Sequence, residues 1–157
     1  MTNATLRTAP KAAPEVLLVD DNPADIDLTT DVLENCTHNF RVSTVHDGTE
    51  AIAFLRRQGD YAAKPTPDLI VLDLNLPRKH GREVLSEVKA DPELARIPVV
   101  VFTTSQAGFD INGSYDLGAN CYLRKPGNLS DFRAVVQSLA DFWLRSARLP
   151  QRQRESQ

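Results

Sequence analysis

The stretch LIVLDLNLP, Leu69 to Pro77, places an aspartate, Asp73, directly after four aliphatic residues. A short continuous run of Leu, Ile and Val is typical of a strand that is buried on both faces of a sheet. Burying a carboxylate is costly unless it lies at an exposed strand end or has a partner that offsets its desolvation. We therefore predict that Asp73 ends a buried strand and has a cationic partner there.

Four more apolar runs flank this one, and helical patterns fill the intervals. The predicted strands are EVLLV at 15–19, RVSTV at 41–45, LIVL at 69–72, VVVF at 99–102 and CYLR at 121–124. The predicted helices cover about 23–36 after the cap Asn22 and Pro23, the segment between Gly48 and Gly59, the region of Val84, Leu85 and Val88 up to Pro92, residues 106–117, and the apolar stripe from Phe132 to Trp143 after the cap Asn128. This alternation predicts a parallel sheet between two layers of helices.

Composition limits the classes of function that remain. The chain has 157 residues, a net charge of −3 and 41% hydrophobic residues, which fits one globular domain. It has no basic surplus for nucleic acid, and it has no apolar run of the ~20 residues that a membrane helix needs. Two widely spaced cysteines and the lack of a leading hydrophobic segment favour the cytoplasm. We expect tails at 1–14 and 148–157, with one domain at 15–147.

Charged and hydroxyl side chains follow the predicted strands at the ends where parallel-sheet proteins bind ligands. Asp20 and Asp21 follow the first strand, Asp73 the third, Thr103 the fourth and Lys125 the fifth. Carboxylates that share one crevice repel each other unless a cation lies among them. Oxygen ligands of this kind favour Mg²⁺, which usually binds one or two carboxylates together with a phosphate.

Each residue also has a purely structural explanation. A single aspartate after a strand is more often a helix cap, and a single lysine is more often a solvated surface residue. Thr103 could simply end a strand, and Tyr122 could simply pack against the core. The shared position of all these residues at one end of their strands favours a joint site.

The motifs at these positions resemble those of the receiver domain of bacterial two-component response regulators. They are VDDN with Asp20 and Asp21, LDLNLP with Asp73, VFTTS with Thr103, and YLRKP with Tyr122 and Lys125. The segments DLNLPRKHGREVL, IPVVVFTTS and LGANCYLRKP are similar to those of small stand-alone regulators that serve bacterial phytochrome-type kinases. The resemblance implies a three-layer, doubly wound (βα)5 flavodoxin-like fold with the strand order 2-1-3-4-5.

The resemblance also implies roles for individual residues. Asp73 would accept a phosphoryl group from a sensor histidine kinase, and Lys125 would pair with Asp73 and then with that group. Thr103 and Tyr122 would form the switch. The Mg²⁺ ligands would be Asp20, largely through water, Asp21, Asp73 and the backbone carbonyl of Asn75.

Further implications concern local structure and assembly. The Lys125–Pro126 bond would be cis. Thr104 replaces the very small residue that is usual after the switch threonine, so access to the site would be narrower. Homodimers would form through the fourth helix, fifth strand and fifth helix. Phe142 and Trp143 could either pack under the tail or join an interface, and the sequence leaves both open.

Two other classes of function are considered. A degenerate receiver would bind partners without phosphorylation, although the full set of motif residues argues against it. A phosphatase of the haloacid dehalogenase type needs a second aspartate two residues after the nucleophile, and that position holds Asn75. A nucleotide enzyme is disfavoured because DDNPAD, not a glycine-rich loop, follows the first strand. The sequence thus favours a phosphoacceptor that is not an enzyme beyond its own phosphotransfer and dephosphorylation.

Overall fold

The computed structural model describes residues 13–151, and most of the two predicted tails, residues 1–12 and 152–157, lies outside this range. Five parallel strands form one sheet in the order β2-β1-β3-β4-β5, which confirms the predicted topology. The strands are β1 Glu15–Val19, β2 Arg41–Val45, β3 Leu69–Leu72, β4 Val99–Thr103 and β5 Cys121–Arg124. The helices are α1 Pro23–Glu34, α2 Gly48–Leu55, α3 Gly81–Ala90, α4 Gly108–Asp116 and α5 Leu129–Ala140.

The three central strands, β1, β3 and β4, are fully buried, because their alternate residues point to opposite sides of the sheet and helices cover each side. One core cluster joins Leu17, Ile70 and Val101 to α2 and α3. The other joins Leu18 and Val71 to α1 and α5. α4 packs beside α3 and β5. Among residues 13–151, no helix combines the length and apolar character that a membrane span requires.

The helix boundaries follow from local chemistry. The Asn22 side chain accepts a hydrogen bond from the Asp25 backbone N–H, and the Asn128 side chain accepts one from that of Asp131, so both predicted caps are confirmed. α4 was expected to begin near Gln106, but Ala107 has an extended backbone and no side-chain cap, so the helix begins two residues later.

The end of the last helix differs from the sequence prediction. At Asp141 the backbone changes to a π-helical segment, Asp141–Ser146, and this change alters the register of the apolar stripe. As a result Trp143 packs against the second core cluster, whereas Phe142 is exposed and meets the Trp143 ring edge-on. Packing therefore accounts for Trp143 but not for Phe142.

A lysine joins the backbone at the end of the sheet opposite the predicted site. The Lys89 Nζ donates hydrogen bonds to the carbonyls of Ala95 and Ile97, at 2.9 Å each, and to the Asn120 side chain at 3.1 Å. Asn120 in turn accepts a hydrogen bond from the Val99 backbone N–H at the start of β4. The amino ends of β4 and β5 are thereby linked to α3.

Candidate phosphoacceptor site

A buried ammonium group lies between three carboxylates at the carboxyl ends of the strands. The Lys125 Nζ lies 2.7 Å from Asp20 Oδ2, 2.9 Å from Asp73 Oδ2 and 2.9 Å from Asp25 Oδ2. Its three N–H donors thus have three charged acceptors. The cationic partner predicted for Asp73 is Lys125, and Asp73 itself is only 7% exposed.

Backbone hydrogen bonds fix the two buried carboxylates from the other side. Asp20 Oδ1 accepts from the Asn22 N–H at 3.0 Å, and Asp73 Oδ1 accepts from the Asn75 N–H at 3.2 Å. The backbone N–H of Asp73 donates to the Val19 carbonyl at 2.9 Å, which holds the end of β3 beside the end of β1. Both acids are therefore oriented by their own loops as well as by Lys125.

Burial and pairing shift the pKa values of these groups in ways that suit the cluster. Burial raises the pKa of Asp20, and the hydrogen bond from Lys125 offsets only part of that rise. Burial alone would lower the pKa of Lys125, but hydrogen bonds to Asp20 and Asp73 outweigh it and raise the pKa well above its ordinary value. Lys125 therefore stays charged throughout the physiological pH range.

The donor set fits a divalent cation. Carboxylate oxygens of Asp20, Asp21 and Asp73 lie within 4.8 Å of one another. Asp21 is exposed, so an ion could reach the cluster from solvent. The site thus holds four acids, the three that contact Lys125 and the neighbouring Asp21, against one ammonium, and a divalent ion would offset this negative surplus.

Thr103 is the last residue of β4, and Tyr122 lies in the neighbouring strand β5. Among residues 13–151, neither side chain forms a hydrogen bond with the acids of the cluster. Thr103 is fully buried, and its hydroxyl has no hydrogen-bond partner among residues 13–151. The half-buried Tyr122 donates its hydroxyl proton to the Ser105 carbonyl at 2.9 Å. Ser105 also donates its hydroxyl to Asp110 Oδ2 at 2.6 Å, so the β4–α4 loop is held from both sides.

One expectation for this region is wrong. No peptide bond among residues 13–151 is cis, so the bond before Pro126 is trans. The extended backbone of β5 already directs the lysine to the acids, because the Lys125 N–H donates to the Thr103 carbonyl at 2.7 Å. Thr104, the departure from the usual small residue, is exposed.

Two residues that sequence reasoning missed help to build the site. Asp25, in the first turn of α1, reads in the sequence as an ordinary acid near a helix start. Gly81, at the start of α3, has no room for a side chain, because a Cβ atom there would overlap the Asp73 carbonyl and the Leu74 Cα. Its N–H donates to the Leu74 carbonyl at 2.9 Å, so the loop folds back directly behind the carboxylate. The glycine within RKHG was the available signal for that close approach.

Residues 16–137 match the sequence model of the response regulator receiver domain, so the chain belongs to that family of two-component signalling proteins. It is 50% identical over 135 residues to response regulator Rcp1 of Synechocystis sp., covering 86% of this chain and 92% of Rcp1.

Two solved structures have the same fold. The phosphorylated cyanobacterial phytochrome response regulator RcpA matches with a TM-score of 0.86 and 53% identity, over 89% of this chain and all of RcpA. The Mn²⁺-bound form of Rcp1 matches with a TM-score of 0.86 and 48% identity, over 88% of this chain and 99% of that structure. The resemblance inferred from the motifs is confirmed.

Proposed function

We propose that this chain is a single-domain response regulator that accepts a phosphoryl group on Asp73 from a histidine kinase. Its receiver domain would span residues 15–147. The observation that carries the assignment of Asp73 is its contact with Lys125 at 2.9 Å, inside a cluster of acids that fits a divalent ion. Similarity to a phosphorylated regulator, RcpA, supports the same role.

The transfer requires positioning and charge neutralisation more than covalent machinery. One carboxylate oxygen of Asp73 forms a bond to phosphorus while the P–N bond to the kinase histidine breaks. The electron pair of the P–N bond stays on the imidazole nitrogen. Lys125 is released from Asp73 Oδ2 and pairs with the incoming phosphoryl oxygens. Asp20, Asp21, Asp73 and the Asn75 carbonyl would hold Mg²⁺, which supplies further neutralisation of that charge.

The switch would use the unpartnered Thr103 hydroxyl. Phosphorylation adds about −1.5 to −2 charges and three strong hydrogen-bond acceptors. One of these oxygens would accept a hydrogen bond from the buried Thr103 hydroxyl, which otherwise has no partner. Movement of Thr103 and its loop would break the contact between Tyr122 and the Ser105 carbonyl. Water near Asn75 and Ser105 would later hydrolyse the acyl phosphate. We propose no enzymatic activity for the chain beyond this phosphotransfer and dephosphorylation.

The partner kinase is proposed to be of the bacterial phytochrome type, on the strength of the similarity to RcpA. A phosphorylation-independent interaction module remains the alternative of a different class.

The test is phosphoryl labelling of the chain by a phytochrome-type kinase and by a small phosphodonor in the presence of Mg²⁺. We expect alkali-labile, stoichiometric label on the wild type and on Asp27→Asn, an exposed control on α1, and none on Asp73→Asn. Equal label on Asp73→Asn would contradict the assignment, and no label on any of them would favour the interaction module.

Homodimers would form through α4, β5 and α5. Phe109 and Tyr115 of α4 are exposed by 73% and 49%, which leaves apolar area for a partner. Light scattering with beryllofluoride and Mg²⁺ tests this. We expect Phe109→Ser to weaken the dimer, and we expect Phe142→Ser, the same substitution in the π-helical segment that follows α5, to leave it intact. The reverse pattern would move the interface to the π-helical segment.

A further inference from the structure

We infer that Asp25 is a positioning residue that restrains Lys125 and opposes phosphorylation of Asp73. This inference rests on the proposed function of the site and concerns a residue outside its usual motifs. Asp25 Oδ2 is as close to the Lys125 Nζ as Asp73 Oδ2 is, at 2.9 Å for both.

The contact is built into the start of α1. The Asn22 side chain caps the helix by accepting from the Asp25 N–H at 3.1 Å, and Pro23 fixes the backbone of the first turn. These constraints orient residue 25 toward Lys125, which follows β5 and lies 100 positions away in the sequence. The Asp25 side chain is 25% exposed, against 2% for Lys125, so it approaches the ammonium from the solvent side.

The effect on phosphorylation follows from how the ammonium donors are divided. All three donors of Lys125 are used by Asp20, Asp25 and Asp73. A phosphoryl group on Asp73 must draw this ammonium toward itself, and it must also enter the field of the nearby Asp25 charge. Both effects act against the incoming anion. Neutralising Asp25 should therefore favour the phosphorylated state.

The experiment compares Asp25→Asn with Asp27→Asn, which removes the same charge from an exposed position on the same helix. Calorimetric titration with beryllofluoride in saturating Mg²⁺ should show about three- to tenfold tighter binding for Asp25→Asn, typical of coupling between neighbouring charged groups. Asp27→Asn should stay within about twofold of the wild type, and Asp25→Glu should restore wild-type affinity. Weaker or unchanged binding by Asp25→Asn, or an equal gain for Asp27→Asn, would overturn the inference.

A second readout uses the protein without metal. A buried ammonium with three acceptors exchanges its protons slowly, so the Lys125 amino group should be visible in nitrogen-15 correlation spectra of the wild type. Asp25→Asn should speed this exchange, and Asp27→Asn should not. Unchanged exchange in Asp25→Asn would show that Asp25 does not hold the lysine. Failure of the wild type to bind beryllofluoride would instead overturn the proposed function together with this inference, which separates the two failures.

Discussion

Replacing Lys125 with methionine removes the cation that contacts Asp20, Asp25 and Asp73, while keeping most of the side-chain volume. At an effective dielectric constant of 20, one ion pair at 2.9 Å represents about 6 kcal/mol of attraction before desolvation. Burying the ammonium and the carboxylates offsets much of this, and the measured loss on removing one partner of a buried pair is about 3–5 kcal/mol. Because domains have a total stability of about 5–15 kcal/mol, we expect Lys125→Met to lose about a fifth of the free energy of unfolding or more in the absence of metal.

Urea unfolding, followed by far-ultraviolet circular dichroism in EDTA and then in Mg²⁺, measures this effect. The matched control is Lys79→Met, because the Lys79–Glu87 pair at 2.7 Å is partly exposed and should contribute about 1 kcal/mol or less. An ion at 100 times its Kd stabilises the folded state by about 2.7 kcal/mol. At the same Mg²⁺ concentration the gain should be larger in Lys125→Met than in the wild type, since the acids then lack their ammonium partner and should bind the ion more tightly.

The pH dependence gives a further check on the same reasoning. Burial raises the pKa of Asp20, and the hydrogen bond from Lys125 offsets part of that rise, so without Lys125 the folded pKa of Asp20 should rise further above its unfolded value. The variant should therefore regain stability relative to the wild type as the pH falls through that raised pKa, where Asp20 binds a proton. If Lys125→Met loses no more stability than Lys79→Met, or if Mg²⁺ stabilises both variants equally, the electrostatic account of the cluster is refuted.

Two other predictions follow from contacts away from the ammonium. Gly81→Ala should lower the free energy of unfolding by about 1–3 kcal/mol by overpacking against the Asp73 carbonyl, and it should weaken Mg²⁺ binding. Gly108→Ala has open space around the added methyl group and should have neither effect. Equal urea midpoints for the two variants would contradict this prediction. The hydrogen bond from His38 lowers the pKa of Asp141, so its contribution to stability is present above the ordinary aspartate pKa and is lost as the pH falls through the lowered one. Carbon-13 titration should show the Asp141 pKa rising in His38→Ala, and an unchanged value would exclude the contact in solution.

The elements that the sequence predicts well are those whose pattern reflects burial. LIVL and VVVF read as strands because both faces of the sheet are covered, and Asn128 reads as a cap because its side chain satisfies a local N–H. The grouping of Asp20, Asp73 and Lys125 was predictable because the carboxyl ends of parallel strands share one edge.

What the sequence did not reveal depends on contacts between distant segments. Asp25 looks like a favourable acid in a first turn, and only the position of β5 makes it a lysine ligand. Gly81 is explained by the backbone behind it. The π-helical segment after Ala140 was missed because an apolar stripe specifies a helical face but not which carbonyl each N–H selects.

The bonds of Lys89 have a mechanical consequence for signalling. They fix β4 and β5 at their amino ends, while the loops at the other ends carry Ser105 and Lys125. A displacement produced by the phosphoryl group should thus pivot these strands about a stationary base. On phosphorylation, amide hydrogen exchange should accordingly change in the loops that carry Ser105 and Lys125. It should stay constant near Asn120.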